Sequence, residues 1–189
     1  MILMITFWRP TDPNGYLGQW YESDFYLDDE IIANLPIEII QSALYQERYD
    51  VIETLSQVNK FENAEKFMMI GKAALFYDGY IIEKMSEIDN PLILKRLGRQ
   101  VKHFVDDIWA EYNLDIVTLG NYLKFTQNKV LKKKLLKTKG TLVEGSPMDR
   151  LWGVGLKFDN PAIYSKTNWR GKNLLGLCLM RVRSIISDN

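Results

Sequence analysis

NAEKFMMIGKAALFYD, residues 63–78, decides how the rest of the chain is read. Asn63 suits an N-cap, because its short side chain can accept a hydrogen bond from a free N–H of the first turn. The apolar residues that follow recur at helical spacing, which predicts a helix running to Asp78. Glu65 and Lys72 are seven residues apart on it, close to two turns, so their side chains share one face, with Met68 and Met69 between them. Such a pair is either two surface charges or two reacting groups. Gly71 in mid-helix costs about 1 kcal/mol against alanine, so it either admits a close neighbour or ligand, or is simply tolerated.

Outward from this helix the chain alternates helix and turn signals. MILMITFWRP reads as a first strand, with Ile2, Met4 and Thr6 alternating against Leu3, Ile5 and Phe7. The turn cluster TDPNGYLG, 11–18, follows it, and QWYESDFYLDD reads as a strand or extended loop. Pro36 opens PIEIIQSALYQERYDVIETLSQV, whose Ile39, Ile40, Leu44, Tyr45, Val51, Ile52 and Leu55 predict one helix. Further helices are expected over about 79–87, from Pro91 behind an Asp89 or Asn90 cap, and over 106–128 with Gly120 as a weak point. LKKKLLKTKG ends a helix on Gly140, TLVEGSP reads as a short strand and turn, and LWGVGLKF as a second strand. NWRGKNLLGLCLMRVRSII begins as a glycine-containing loop and finishes as an apolar helix. The fold class is α+β, predominantly α-helical, in one domain over 1–189 with a few short strands.

Composition narrows the chemistry. No apolar run approaches the roughly 20 residues of a membrane span, and the N-terminus lacks the basic lead of a signal peptide. The single Cys178 excludes an internal disulfide and suits a reducing, cytoplasmic setting. One histidine, His103, leaves no Cys/His zinc set, and its place in GRQVKHFVDDIW predicts a helix residue. No metal and no cofactor are expected, and chemistry falls to Asp, Glu, Lys and aromatic side chains. The net charge is zero but uneven. Residues 1–65 carry 3 Lys/Arg against 12 Asp/Glu, a net −9, and residues 66–189 carry 21 against 12, a net +9. The densest basic stretch, KVLKKKLLKTK at 129–139, is either a solvated helix face or a surface that meets phosphates.

Five pieces, NAEKFMMIGKAALFYD, KRLGRQV, LKFTQN, LVEGSPMDRLWGVGL and NWRGKNLLGLCLMRVR, resemble in order and separation the NADAR, or YbiA-like, family. GYLGQWYESDFYL resembles the opening segment of that family. The resemblance covers about 16–32 and 61–183. Residues 33–60 match less well and read as a family-variable helical insertion. The resemblance implies a single YbiA-like domain and an N-glycosidase acting on ribosylated substrates. One associated activity removes ADP-ribose from guanine bases in nucleic acid. The other cleaves early ribosylamino-pyrimidine phosphate intermediates of riboflavin biosynthesis. A third possibility, from another class, is a non-catalytic ADP-ribose or nucleotide-binding module.

Both substrates join an anomeric carbon to an exocyclic amine. The bond breaks either through an oxocarbenium ion captured by water, which needs a carboxylate, or by ring opening to an imine that a lysine attacks. On the motif positions Glu65 is the expected general acid/base, Lys72 the nucleophile or a phosphate or hydroxyl ligand, and Asp149 the group that orients ribose hydroxyls or activates water. Trp152 offers a stacking face worth about 1–3 kcal/mol per base, and Gly153 and Gly155 let backbone approach the ligand. Trp20 and Tyr21 are expected to complete an aromatic wall. Arg99 and Lys124 are expected to hold phosphates, and Asn173, at a loop-to-helix start, to cap that helix or contact ligand. Trp109 and Trp169 read as structural. The expected partner is ADP-ribosylated DNA or a nucleotide, not a membrane.

Overall fold

The computed structural model describes residues 3–188; Ile2 of the expected first strand lies outside them. That strand forms as β1 (Met4–Phe7), and TLVEGSP supplies its partner β4 (Thr141–Glu144). The two pair in parallel from Met4 opposite Thr141 to Phe7 opposite Glu144, so their carboxyl ends leave the sheet side by side. A second sheet is only two residues deep, β2 (Phe25–Tyr26) against β3 (Lys60–Phe61), antiparallel. The remaining elements are helices, giving the α+β, mostly helical architecture the sequence implies.

Between β2 and β3 lie α1 (Asp29–Ala33), α2 (Ile37–Ile40), α3 (Ala43–Glu47) and α4 (Tyr49–Val58). The single helix predicted over 36–58 is therefore three. Ser42 takes extended backbone angles and its hydroxyl accepts from Tyr45 N at 3.3 Å, so a local side-chain bond ends one helix and starts the next. Arg48 makes the second break, its guanidinium held by Asp50 at 2.9–3.0 Å and by the Leu75 carbonyl at 3.1 Å.

The helix read from residues 63–78 is α5 (Ala64–Leu75), capped as expected by Asn63 Oδ1 on Lys66 N at 2.9 Å. It is almost wholly buried and lies against α4, α6 (Gly79–Ser86), α7 (Pro91–Gly98) and α8 (Asp106–Gln127). Gly120 does not weaken α8. A Cβ there would stand 2.6 Å from the Phe67 ring, and one on Gly71 2.8 Å from Ile116 Cγ2. Both glycines let α5 and α8 close on each other; Gly71 faces core, not ligand. Phe67 also joins Phe25 and Phe61 in a ring cluster with centroids 4.8–6.0 Å apart. Then α9 (Lys129–Lys137) carries the lysines on its exposed side, with Leu131 and Leu135 buried, and α10 (Leu174–Asp188) packs on α8 and β4.

Two other readings are corrected. His103 is exposed with φ +56° in the connection between α7 and α8, because α7 stops at Gly98 and Lys102 N is held by Asp78 Oδ2 at 2.9 Å. LWGVGLKF forms no strand. Its backbone is spent on turns: Val154 N bonds Glu144 O, Gly155 N bonds Asp149 O, and Arg170 N bonds Val154 O. No helix among the described residues is long and apolar enough to cross a membrane.

Candidate active site

The carboxyl ends of β1 and β4, the loop before β2, one face of α5 and the end of α7 enclose a cavity of about 420 Å³. Ligands of α/β proteins commonly settle beyond the carboxyl ends of parallel strands, and here those ends deliver Trp8, Arg9 and Pro10 from β1 and Glu144, Ser146 and Asp149 from β4. Helix α5 contributes Glu65, Met68, Met69 and Lys72, the stripe that helical spacing places on one face. Helix α7 adds Lys95, Gly98 and, at its end, Arg99, which spacing of three and four also puts together. Four of the five tryptophans line the cavity: Trp8, Trp20, Trp109 and Trp152. Such a wall suits flat rings with a few convergent polar groups.

Glu65 is 3% exposed, and its Oε1 has no hydrogen-bond partner. Its backbone N–H donates to the Gln19 carbonyl at 3.0 Å, so the residue is locked where it stands. Burial pushes its carboxyl up to about 7; the Lys95 charge and a hydrogen bond from the Trp20 indole oppose this, and Asp149 adds to it. Glu144 is half-buried, but its Oε2 is sealed from solvent and also has no partner. Burial pushes that carboxyl up to about 8, reinforced by Asp149 and Glu65 and opposed by Lys95. Its backbone is fixed on three sides: by Phe7 across the sheet, by Val154 N on its carbonyl at 3.0 Å, and by its own N–H donating to Asn173 Oδ1 at 2.9 Å.

Asp149 divides its carboxylate. Oδ1 accepts from Leu151 N at 3.0 Å and Trp152 N at 2.8 Å, which builds the turn; Oδ2 meets Lys95 Nζ at 3.5 Å. Lys72 Nζ donates to the Gly98 carbonyl at 2.8 Å and lies 4.1 Å from the Phe104 ring centroid. Burial lowers its ammonium, Asp106 raises it and Arg99 lowers it further. At the mouth the Arg9 guanidinium stacks on Trp8 at 4.3 Å.

Of the residues singled out in the sequence, Glu65, Lys72, Asp149, Trp152, Trp20 and Arg99 come together here. Four do not. Lys124 is fully buried in α8, where its Nζ donates to the Gly18 carbonyl at 2.8 Å; it anchors the loop that carries Gln19 and Trp20 instead of holding phosphate. Tyr21 is not among the lining residues; it packs against the core, its ring centroid 5.6 Å from that ammonium. Gly153 packs on the protein itself, since a Cβ would meet the Asp149 and Glu144 carbonyls at 3.0 Å; Gly155, at φ +68°, faces Arg170 and Arg150. Asn173, buried at φ +56°, spends its side chain on Glu144 N and on the Leu142 carbonyl at 2.8 Å, so it positions β4 and touches no ligand space. Trp109 packs in the core and lines the cavity too, whereas Trp169 is tied to the Ile163 carbonyl at 2.7 Å. The α9 lysines are not among the lining residues.

Glu144, Lys95, Trp8 and Arg9 are the residues the sequence reading missed. The signal for Glu144 was its place at a strand end directly before Gly145-Ser146-Pro147. Lys95 stands one turn before Gly98 and Arg99, within the same KRLGRQV motif.

Comparison with known proteins places the chain among relatives. A family model described as "NADAR domain" matches residues 6–187. The chain is 44% identical over 125 residues to "N-glycosidase R617" of Acanthamoeba polyphaga mimivirus, a match that takes in 66% of this chain and 74% of that protein. It is 32% identical over 108 residues, 54% of this chain, to "Riboflavin biosynthesis protein PYRR, chloroplastic" of Arabidopsis thaliana, but spans only 16% of that longer protein. Its fold is similar to the NMR structure of E. coli YbiA, with a TM-score of 0.66 and 19% identity over 98% of this chain and 85% of the other.

Proposed function

The chain belongs to the NADAR family, and from that membership we propose that it is an N-glycosidase that removes ADP-ribose from ADP-ribosylated guanine in nucleic acid. The single observation that carries the reading is Glu65: a buried carboxyl, one oxygen unpartnered, in a cavity walled by four tryptophans. A carboxyl that changes charge near pH 7 is matched to proton transfer at that pH. The mimivirus relative bears the name N-glycosidase, which supports the reaction class.

The tryptophan faces suit a guanine ring and the adjoining sugar. Arg9, Lys95 and Arg99 at the cavity suit a diphosphate, and the net +9 of residues 66–189 favours a polyanion over a small metabolite. Glu65 is the general acid/base of the reaction. Asp149, with Oδ1 occupied in its turn, is left with Oδ2 and Lys95 for the ribose hydroxyls. Lys72, with its ammonium lowered by burial, is the amine for a Schiff-base route on an opened sugar. A second reading, cleavage of ribosylamino-pyrimidine phosphates, draws support from the Arabidopsis relative's name.

The test is a pair of turnover assays. One uses an oligonucleotide carrying ADP-ribosyl-guanine, the other a ribosylamino-pyrimidine phosphate, each across a salt series. Release of ADP-ribose that weakens steeply with salt supports the nucleic-acid substrate. Salt-insensitive turnover of the small substrate alone supports the second reading. Binding of both without cleavage sinks the glycosidase.

A further inference from the structure

We propose that Glu144 is a second catalytic carboxyl, which shares one proton with Glu65 and delivers it to the departing exocyclic nitrogen. The inference rests on the glycosidase reading and adds to it a division of labour.

Glu65 and Glu144 have two features in common. Both line the cavity, and each has one buried oxygen without a partner, Glu65 Oε1 and Glu144 Oε2. Unpartnered buried carboxyl oxygens are costly unless a proton or a ligand meets them. The neighbouring Trp20 indole favours the ionised form of Glu65. No donor reaches Glu144 Oε2, so the proton of the pair is better kept on Glu144. Asp149 lacks the unpartnered oxygen that marks the pair: backbone N–H groups meet its Oδ1 and Lys95 meets its Oδ2. The charged groups facing the pair are Asp149 beyond β4, Lys95 and Arg99 from α7, Lys72 from α5 and Arg9 beyond β1. Two like charges in one cavity disfavour double ionisation, the condition under which carboxyls share a proton.

The step balances. As the C1′–N bond breaks, its electron pair goes to nitrogen, which takes the proton from the Glu144 carboxyl. Glu65, ionised, faces the cationic anomeric carbon. Water adds its oxygen to C1′ and gives a proton to Glu65. One proton remains on the pair, now on Glu65, and its return to Glu144 resets the site. The backbone bonds from Asn173, Val154 and Phe7 hold Glu144 in place for this role.

Two measurements test it. In the first, the protein carries 13C-carboxyl glutamate and is titrated by NMR without substrate, with Glu65→Gln and Glu144→Gln giving the assignments. Both carboxyls are expected to titrate well above the ordinary range, and Glu144→Gln is expected to lower the Glu65 midpoint by about one pH unit. A Glu65 midpoint unmoved by Glu144→Gln overturns the shared proton, whatever the substrate proves to be. In the second, Glu144→Gln is assayed on ADP-ribosyl-guanine and on p-nitrophenyl ADP-ribose, whose leaving group departs without a proton. Loss of about 10²–10⁴-fold in kcat on the guanine substrate, with the p-nitrophenyl substrate largely spared, is the signature of a missing acid. Equal loss on both, or no loss on either, overturns the assignment. Wild type that cleaves neither substrate sinks the glycosidase reading itself, and the titration still decides the pairing.

Discussion

Replacing Glu65 with glutamine is expected to make the protein more stable, by an amount that grows as pH rises from about 4.5 to about 7. The unfolded chain ionises this carboxyl at its ordinary value of 4.5, whereas the folded protein keeps the proton until about 7. Between those values the folded state binds more protons than the unfolded, so its stability falls as pH rises, and above pH 7 the loss is complete. A difference of that size corresponds to about 3 kcal/mol. Glutamine has nearly the same shape and is neutral throughout. At pH 5, near the start of that window, the variant should lead wild type by less than about 1 kcal/mol. By pH 8.5 the variant should gain about 3 kcal/mol, which for a chain of this length is about 6–12 °C in Tm. Thermal melts of both proteins across pH 5 to 8.5 measure it. A Tm difference that stays constant with pH refutes the reasoning, because the burial of Glu65 would then carry no protonation cost. The pattern is that of a group kept for chemistry at the expense of stability.

Three further outcomes follow from the same contacts. Asn173→Ala leaves Glu144 N and the Leu142 carbonyl without their partner and puts alanine at φ +56°, so urea unfolding should show a loss of about 2–4 kcal/mol. Lys72→Arg keeps the charge but removes the amine; direct addition of water to the anomeric carbon leaves no borohydride-trapped adduct on wild type or variant, whereas an adduct on wild type that the variant lacks would place a Schiff base at Lys72 and overturn the direct route. Lys124 is fully buried, and burial lowers its ammonium to about 7, so the cost of its charge is complete below pH 7 and relieved as pH rises toward the ordinary 10.5. Lys124→Met should therefore be most favourable relative to wild type near pH 6 and lose that advantage by pH 10, less about 1–3 kcal/mol for the abandoned Gly18 carbonyl.

Much of the fold could be read from the residues because its signals are local. Asn63 caps α5, Asn90 with Pro91 opens α7, and the alternation of residues 3–7 marks β1. The breaks at Ser42 and Arg48 were hidden because an apolar spacing of 3.6 continues straight through them, and only side-chain bonds to backbone reveal them. The absent strand at 151–158 has the same kind of cause: Asp149 turns the chain and tertiary bonds take the backbone groups a ladder would use. In the site, Glu65 and Lys72 were legible because one helix places both. Glu144 was not, since its role depends on the parallel pairing of β1 with β4, and nothing local announces that two strands 134 or more residues apart will meet. Lys124 and Asn173 show the opposite failure. A polar side chain in a motif reads like a ligand, but these two spend their bonds on the backbone that holds the site together.

The measurement closest to the central claim is a single turnover of the ADP-ribosyl-guanine oligonucleotide in water enriched in 18O, with wild type and Glu65→Gln side by side. The expected result for wild type is an unmodified guanine in the oligonucleotide and one labelled oxygen at the anomeric carbon of the released ADP-ribose. Glu65→Gln should be slower by about 10²-fold or more. Release at the wild-type rate by Glu65→Gln, or an intact glycosidic bond after prolonged incubation with wild type, would contradict it.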